Sequence, residues 1–178
     1  MNLNQYTFPI LSFFLLLSIQ ICAQSEFESG YFINNQDEKK YCLINNERWE
    51  KNPVQFEYKL GNDSEVKIGK ISDVKLFAVE GVFKYERASV KIDTLTDGYV
   101  DFDNKNLNYS EKELYLNKVV EGKVSLYHYQ DEELDVFFIS KRDSEEIEQL
   151  IFKRYRDENY REGMNNKFRG QIYEAFDS

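Results

Sequence analysis

Between Gly30 and Tyr155 the apolar residues of this chain recur at every second position in short runs, and that period of two admits strands and disfavours long helices. The cleanest run is Val54, Phe56, Tyr58 and Leu60, interleaved with Gln55, Glu57 and Lys59. Gly61-Asn62-Asp63-Ser64 then supplies turn chemistry, and Val66 and Ile68 resume the alternation, so the segment is expected to form a hairpin whose inner face carries those apolar residues. Upstream, Gly30–Ile33 and Tyr41–Ile44 flank a polar turn and predict a second hairpin.

Lys75–Val79 breaks at Gly81 and resumes as Phe83–Ile92. In that long run the apolar phase moves from Phe83 and Tyr85 to Ala88, Val90 and Ile92, which predicts a bulge near Arg87. Thr94 to Ser110, rich in Asp and Asn, reads as a long loop. Leu114–Val120 and Val124–Tyr129 form another expected hairpin, with Gly122 placed to take a positive φ. Val136-Phe137-Phe138-Ile139 suits a strand covered on both faces, and Ile147–Tyr155 fits either a strand or a helical stripe, with strand preferred. Near the end, Asn165 or Asn166 can cap a helix over about 165–176 that sets Phe168, Ile172 and Phe176 four residues apart on one face, to dock on the sheet or meet a partner. The fold class expected is mainly β: an antiparallel meander, sandwich-like or a partly closed barrel, of about eight to ten short strands with a short C-terminal helix.

The amino terminus is different in kind. Phe8–Ile19 is an apolar stretch of signal-peptide length, and Ala23 offers the small residue a peptidase needs before Gln24. Residues 1–23 therefore read as a signal peptide, 24–29 as a flexible mature amino terminus and 30–178 as a single β-rich domain, with no transmembrane segment after cleavage. A lipid anchor on Cys22 is the competing reading, although Ile21 is larger than the residue such anchors favour before the cysteine.

Acidic residues outnumber basic ones 32 to 23, a formal net charge of −9, so the chain repels nucleic-acid phosphates and anionic membrane surfaces. With Cys22 removed, Cys42 stands alone in a strand-like run and reads as a buried, inert thiol. The single histidine, His128, lies between Tyr127 and Tyr129 and reads as a polar face residue; no nucleophile elbow and no zinc-ligand pair accompanies it. Gly69-Lys70 and Gly122-Lys123 lack the earlier glycine and the following hydroxyl of a phosphate-binding loop. Asp93, Asp97, Asp101 and Asp103 are the weak candidates for an irregular calcium site, since hard cations take carboxylate oxygens, although the spacing departs from an EF-hand. No catalytic residue and no cofactor is assigned.

Gly30-Tyr31-Phe32-Ile33-Asn34-Asn35, Pro53-Val54-Gln55-Phe56-Glu57-Tyr58, Asp73-Val74-Lys75-Leu76-Phe77, Glu121–Tyr127 and Gln149-Leu150-Ile151-Phe152-Lys153, with the Ala23-Gln24 junction, carry a resemblance. The chain resembles the periplasmic β-rich N-terminal region of uncharacterised flavobacterial (Bacteroidetes) envelope proteins, which often continue into an outer-membrane β-barrel. The resemblance implies an extracytoplasmic location, in the periplasm or at the outer membrane, and an envelope protein or outer-membrane component as partner. The functional expectation is an exported, non-enzymatic binding or structural module; the alternatives are a small periplasmic hydrolase using carboxylates and a carrier of an apolar ligand.

Overall fold

The computed structural model describes residues 27–47, 49–94, 106–140, 146–156 and 159–177. The expected signal segment, Cys22 and most of the Thr94–Ser110 connection, including Asp97, Asp101 and Asp103, lie outside those residues.

The fold is mostly β. Ten strands form one antiparallel sheet: β1 (Phe27–Asn34), β2 (Lys39–Asn45), β3 (Gln55–Lys59), β4 (Lys67–Lys70), β5 (Val74–Val79), β6 (Phe83–Asp93), β7 (Tyr109–Val120), β8 (Leu126–Gln130), β9 (Asp135–Ser140) and β10 (Ile147–Gln149). Their order is β10-β9-β8-β7-β6-β5-β1-β2-β3-β4, so the hairpins expected from the alternation are present and the sheet stays open. A separate hairpin pairs β11 (Lys153–Arg156) with β12 (Glu162–Asn165), and helix α1 (Phe168–Asp177) follows. The Ile147–Tyr155 segment is thus strand, interrupted at Leu150–Phe152.

The sheet buries one face in its first half and the opposite face in its second. The first core gathers Phe32, Ile44, Phe56, Phe77, Tyr85 and Tyr115; the second gathers Val90, Ile92, Leu116, Tyr127, Tyr129 and Phe138. Because successive side chains on a strand point to opposite faces, β6 sends Tyr85 into one core and Val90 and Ile92 into the other, while β7 does the same with Tyr115 and Leu116. This double duty explains why these two strands are the longest, 11 and 12 residues. It also corrects the bulge expected near Arg87. The β6–β7 register runs unbroken from Tyr85↔Asn117 to Asp93↔Tyr109, and the phase change records a change of buried face. The register shifts fall instead at Ile33/Asn34 and at Lys118/Val120.

Each half curls around its core. In the first, Phe56 of β3 stacks on Phe77 of β5, with β1 and β2 between them in the sheet order, and the Tyr115 hydroxyl donates to the Val74 carbonyl at 2.9 Å. In the second, β10 returns toward β6, where the Asp93 N–H donates to Gln149 Oε1 at 2.7 Å. The β2–β3 connection closes the first core from above: Trp49 packs edge-on to Phe77, Phe83 and Tyr85. Farther along it, the Asn52 Nδ2 donates to the Tyr115 and His128 carbonyls, and Asn52 Oδ1 accepts the Gln130 N–H at 3.0 Å. One side chain thereby fills the fork that opens where the β7–β8 ladder ends at Asn117↔His128.

Three further expectations are corrected. Val54 and Leu60 are exposed, because they flank β3 outside its paired residues; only Phe56 and Tyr58 of that set pack on the core. On β4 the buried position is Gly69, opposite Phe56, so Val66 and Ile68 face solvent. A Cβ at residue 69 would stand 2.4 Å from the Phe56 ring, which is why this position carries glycine. Gly122 does not need a positive φ: the β7–β8 connection is a wide five-residue loop, and Gly81 is the positive-φ glycine, at 76°.

Candidate functional site

Helix α1 lies against the outer face of β9 and β10, opposite the second core. Its buried line is Gln171 and Ala175, not the Phe168, Ile172, Phe176 stripe expected to dock. Ala175 packs with Val124, Ile139 and Leu150. Gln171 is the polar counterpart: Gln171 Oε1 accepts the Ile151 N–H at 2.9 Å, and its Nε2 donates to the Gln149 carbonyl at 2.9 Å and to Glu148 Oε1. These bonds satisfy backbone groups where β10 breaks off, so the helix is pinned to the sheet by a hydrogen-bonded amide with little apolar burial. Phe168 N–H donates to the Ile151 carbonyl, and Asn165 Oδ1 accepts the Lys167 N–H just ahead of the helix, close to the capping role expected there.

That docking leaves the apolar stripe beside a groove of about 610 Å³ between α1 and β8–β10. Leu126, Val136 and Phe137 come from the sheet, Leu150 and Phe152 from the break after β10, and Phe168 and Ile172 from the helix. Phe152 meets Phe168 edge-on at 6.0 Å yet remains 45 % exposed, and Phe137 is 43 % exposed. Phe176 and Tyr173 extend the apolar surface along the helix. Polar groups enter only through Asp135 and Gln149. Asp135 Oδ1 lies 2.7 Å from His128 Nε2, and the His128 ring rests on Phe137 with centroids 4.7 Å apart. His128 is therefore a face residue tied to a carboxylate, with no hydroxyl or thiol nucleophile bonded to its ring among the described residues.

Of the calcium candidates, Asp93 is described. It is buried, its Oδ1 accepts the Asn108 N–H at 2.8 Å, and its Oδ2 is paired with the buried Lys153 ammonium. Its charge is thus answered by an internal cation. Among the described residues no three His, Cys, Asp or Glu side chains converge in metal-binding geometry. Cys42 is buried as expected, and burial pushes its thiol up to about 11, which keeps it protonated and unreactive at neutral pH. Gly69 lies beneath the Phe56 ring, so the Gly69-Lys70 pair forms no anion cradle. No helix among the described residues is long and apolar enough to cross a membrane.

The groove was not legible as such in the sequence. Its signal is the set of small or polar residues, Gln171 and Ala175, one position before the larger residues of the stripe, which lets the helix dock on the smaller side. No family model, curated protein or solved structure matches this chain.

Proposed function

We propose that the chain is an exported, non-enzymatic binding module of the cell envelope that receives an apolar partner surface in the groove between α1 and β8–β10. The observation that carries this reading is the uncovered line of Phe137, Phe152 and Ile172, contiguous with Phe168 across a concave surface. Exposed apolar patches of this kind mark interaction sites, and aromatic side chains supply most of the energy of such contacts. The signal-like segment Phe8–Ile19 supports the extracytoplasmic part of the reading.

A carrier of an apolar small molecule is the second reading, favoured by the groove volume of about 610 Å³, within the span of small-ligand pockets. One experiment separates the two. The chain from Gln24 is immobilised beside a Phe152→Ser/Ile172→Ser variant of equal melting temperature and offered detergent-solubilised envelope extract. The binding module retains a protein that the variant releases. Retention of lipid or another small apolar molecule alone favours the carrier, and equal retention by both forms removes the groove from either role.

A further inference from the structure

We propose that helix α1 is a strap that opens ahead of the sheet and, by docking or leaving, makes or removes one wall of the groove between α1 and β8–β10. The inference rests on the reading of that groove as a binding surface and names its control. At 10 residues α1 is shorter than the about 12–15 at which an isolated helix becomes marginal in water, so it is helical only while docked. Its docking face is thin. Gln171 and Ala175 are its buried residues, and Ala175 reaches a small cluster of Val124, Ile139 and Leu150 that is separate from both cores. Ile172, Tyr173 and Phe176 stay exposed. The helix sequence also works against itself: Arg169 stands in the first turn and Asp177 at the last residue, each at the end of the dipole that disfavours its charge. Gly170 weakens the helix further, although a Cβ there would meet no atom within 4 Å and nothing in the packing requires glycine.

Opening leaves both cores in place. As α1 departs, water reaches the Ile151 N–H and the Gln149 carbonyl, so the bonds they make to Gln171 are exchanged rather than lost. The hinge is the stretch between β12 and α1, residues 166 and 167. Its root holds, because β11 is anchored by the buried pair of Lys153 with Asp93 and by the Lys153 bond to the Asn106 carbonyl. The groove changes with the strap: Phe168 and Ile172 leave with the helix, and Phe137 and Phe152 remain on the sheet side. A partner that spans both walls binds the docked state and holds the strap down, and the docked fraction scales its affinity.

Hydrogen–deuterium exchange of the chain from Gln24 tests the opening without any partner. The Ile151 N–H is the reporter, because its acceptor is Gln171 Oε1 on the strap. Ile151 and the α1 amides should open together, with protection of about ten- to a thousandfold. The β6–β7 ladder should hold at about 10⁴-fold or more. Gly170→Ala should slow exchange at Ile151 and in α1 by about two- to fivefold and leave the ladder unchanged. Ala175→Asp sets a carboxylate against Val124, Ile139 and Leu150. It should strip Ile151 and α1 of protection while the sheet stays folded, and should release the envelope component that the parent retains. Protection of α1 equal to that of the ladder overturns the proposal, as does an Ala175→Asp chain that loses the sheet as well. So does an Ile151 N–H that keeps its protection when α1 has lost it. Undiminished retention by Ala175→Asp, where Phe152→Ser/Ile172→Ser releases the component, overturns the strap's control and leaves the groove reading standing. Equal retention by the parent and both variants removes the groove reading itself, and the strap's control with it.

Discussion

Phe56 lies flat on Phe77, with ring centroids 4.1 Å apart and planes 13° apart, although β3 and β5 are separated by two strands in the sheet. Such a contact exists only because the first half of the sheet curls over its own face. Phe56→Ala should therefore cost about 3–5 kcal/mol through lost burial and the cavity left among Phe32, Tyr58 and Phe77. Val54→Ser, outside the strand, should stay within about 0.5 kcal/mol. Gly69→Ala should destabilise by about 1–3 kcal/mol, because the new methyl group meets the Phe56 ring. Denaturant melts of the three variants check the ordering.

The same contact shows what the sequence makes legible. Alternation places Phe56 and Tyr58 on the core face, because a period of two is a local property of the strand. Where a strand ends, and which face of its partner is buried, depend on chain closure, so alternation places Val54, Leu60 and Ile68 inward whereas they stand outside. A glycine carries no hydrophobic signal, and Gly69 was invisible as the position facing Phe56. The phase change in β6 was legible, but two cores on opposite faces mimic a bulge when only one strand is read. In α1 the helical period is legible, yet the large side chains draw the expected docking face toward Phe168, Ile172 and Phe176. The small Ala175 and the hydrogen-bonded Gln171 take it instead. The groove is a consequence of that rotation, and no single-sequence pattern encodes it.

Lys153 and Asp93 form a buried ion pair that joins β11 to the end of β6, with the Lys153 ammonium also donating to the Asn106 carbonyl. Removing either charge strands the other in the interior, so Asp93→Asn and Lys153→Met should each cost about 3–5 kcal/mol. The double variant Asp93→Leu/Lys153→Met should lose less than the sum of the single changes, since no uncompensated charge remains. A double-mutant cycle measured by chemical denaturation reads this directly.

Asn52 replaces ladder bonds at the β7–β8 fork, and Asn52→Ala leaves the Tyr115 and His128 carbonyls and the Gln130 N–H without that partner. The expected loss is about 2–4 kcal/mol, from several unanswered polar groups at about 1–3 kcal/mol each, offset where water enters. Hydrogen exchange should show faster opening at Gln130, while β1 and β2 keep their protection.

Alkaline pH should unfold the chain between about pH 10 and 12. Burial pushes the Tyr85 phenol up to about 12 from an ordinary value of 10.0. Its neutral form is favoured in the folded state, so that stability is complete below pH 10 and is lost as pH rises toward 12. Tyr85→Phe should shift the alkaline transition upward in a pH-dependent melt. At the acid end Asp131 behaves oppositely. Burial alone would raise its carboxyl, but the Glu133 and Leu134 amides, the Tyr129 hydroxyl and Lys112 together hold it below 3.8. Its contribution is present above that value and fades below it, and Asp131→Asn should flatten the acid limb.

Export and the groove are tested side by side. Hydrogen–deuterium exchange of the chain from Gln24 is followed with and without the envelope fraction it retains, alongside intact-mass determination of the protein from its native host. The account predicts a mature chain beginning at Gln24 and slowed exchange at Asp135–Phe137, Leu150–Phe152 and Phe168–Ile172, the segments that line the groove. A chain beginning at a lipidated Cys22 would contradict the export route, and protection confined to the opposite end of the sheet, around Tyr31 and Tyr41, would contradict the groove as the binding surface.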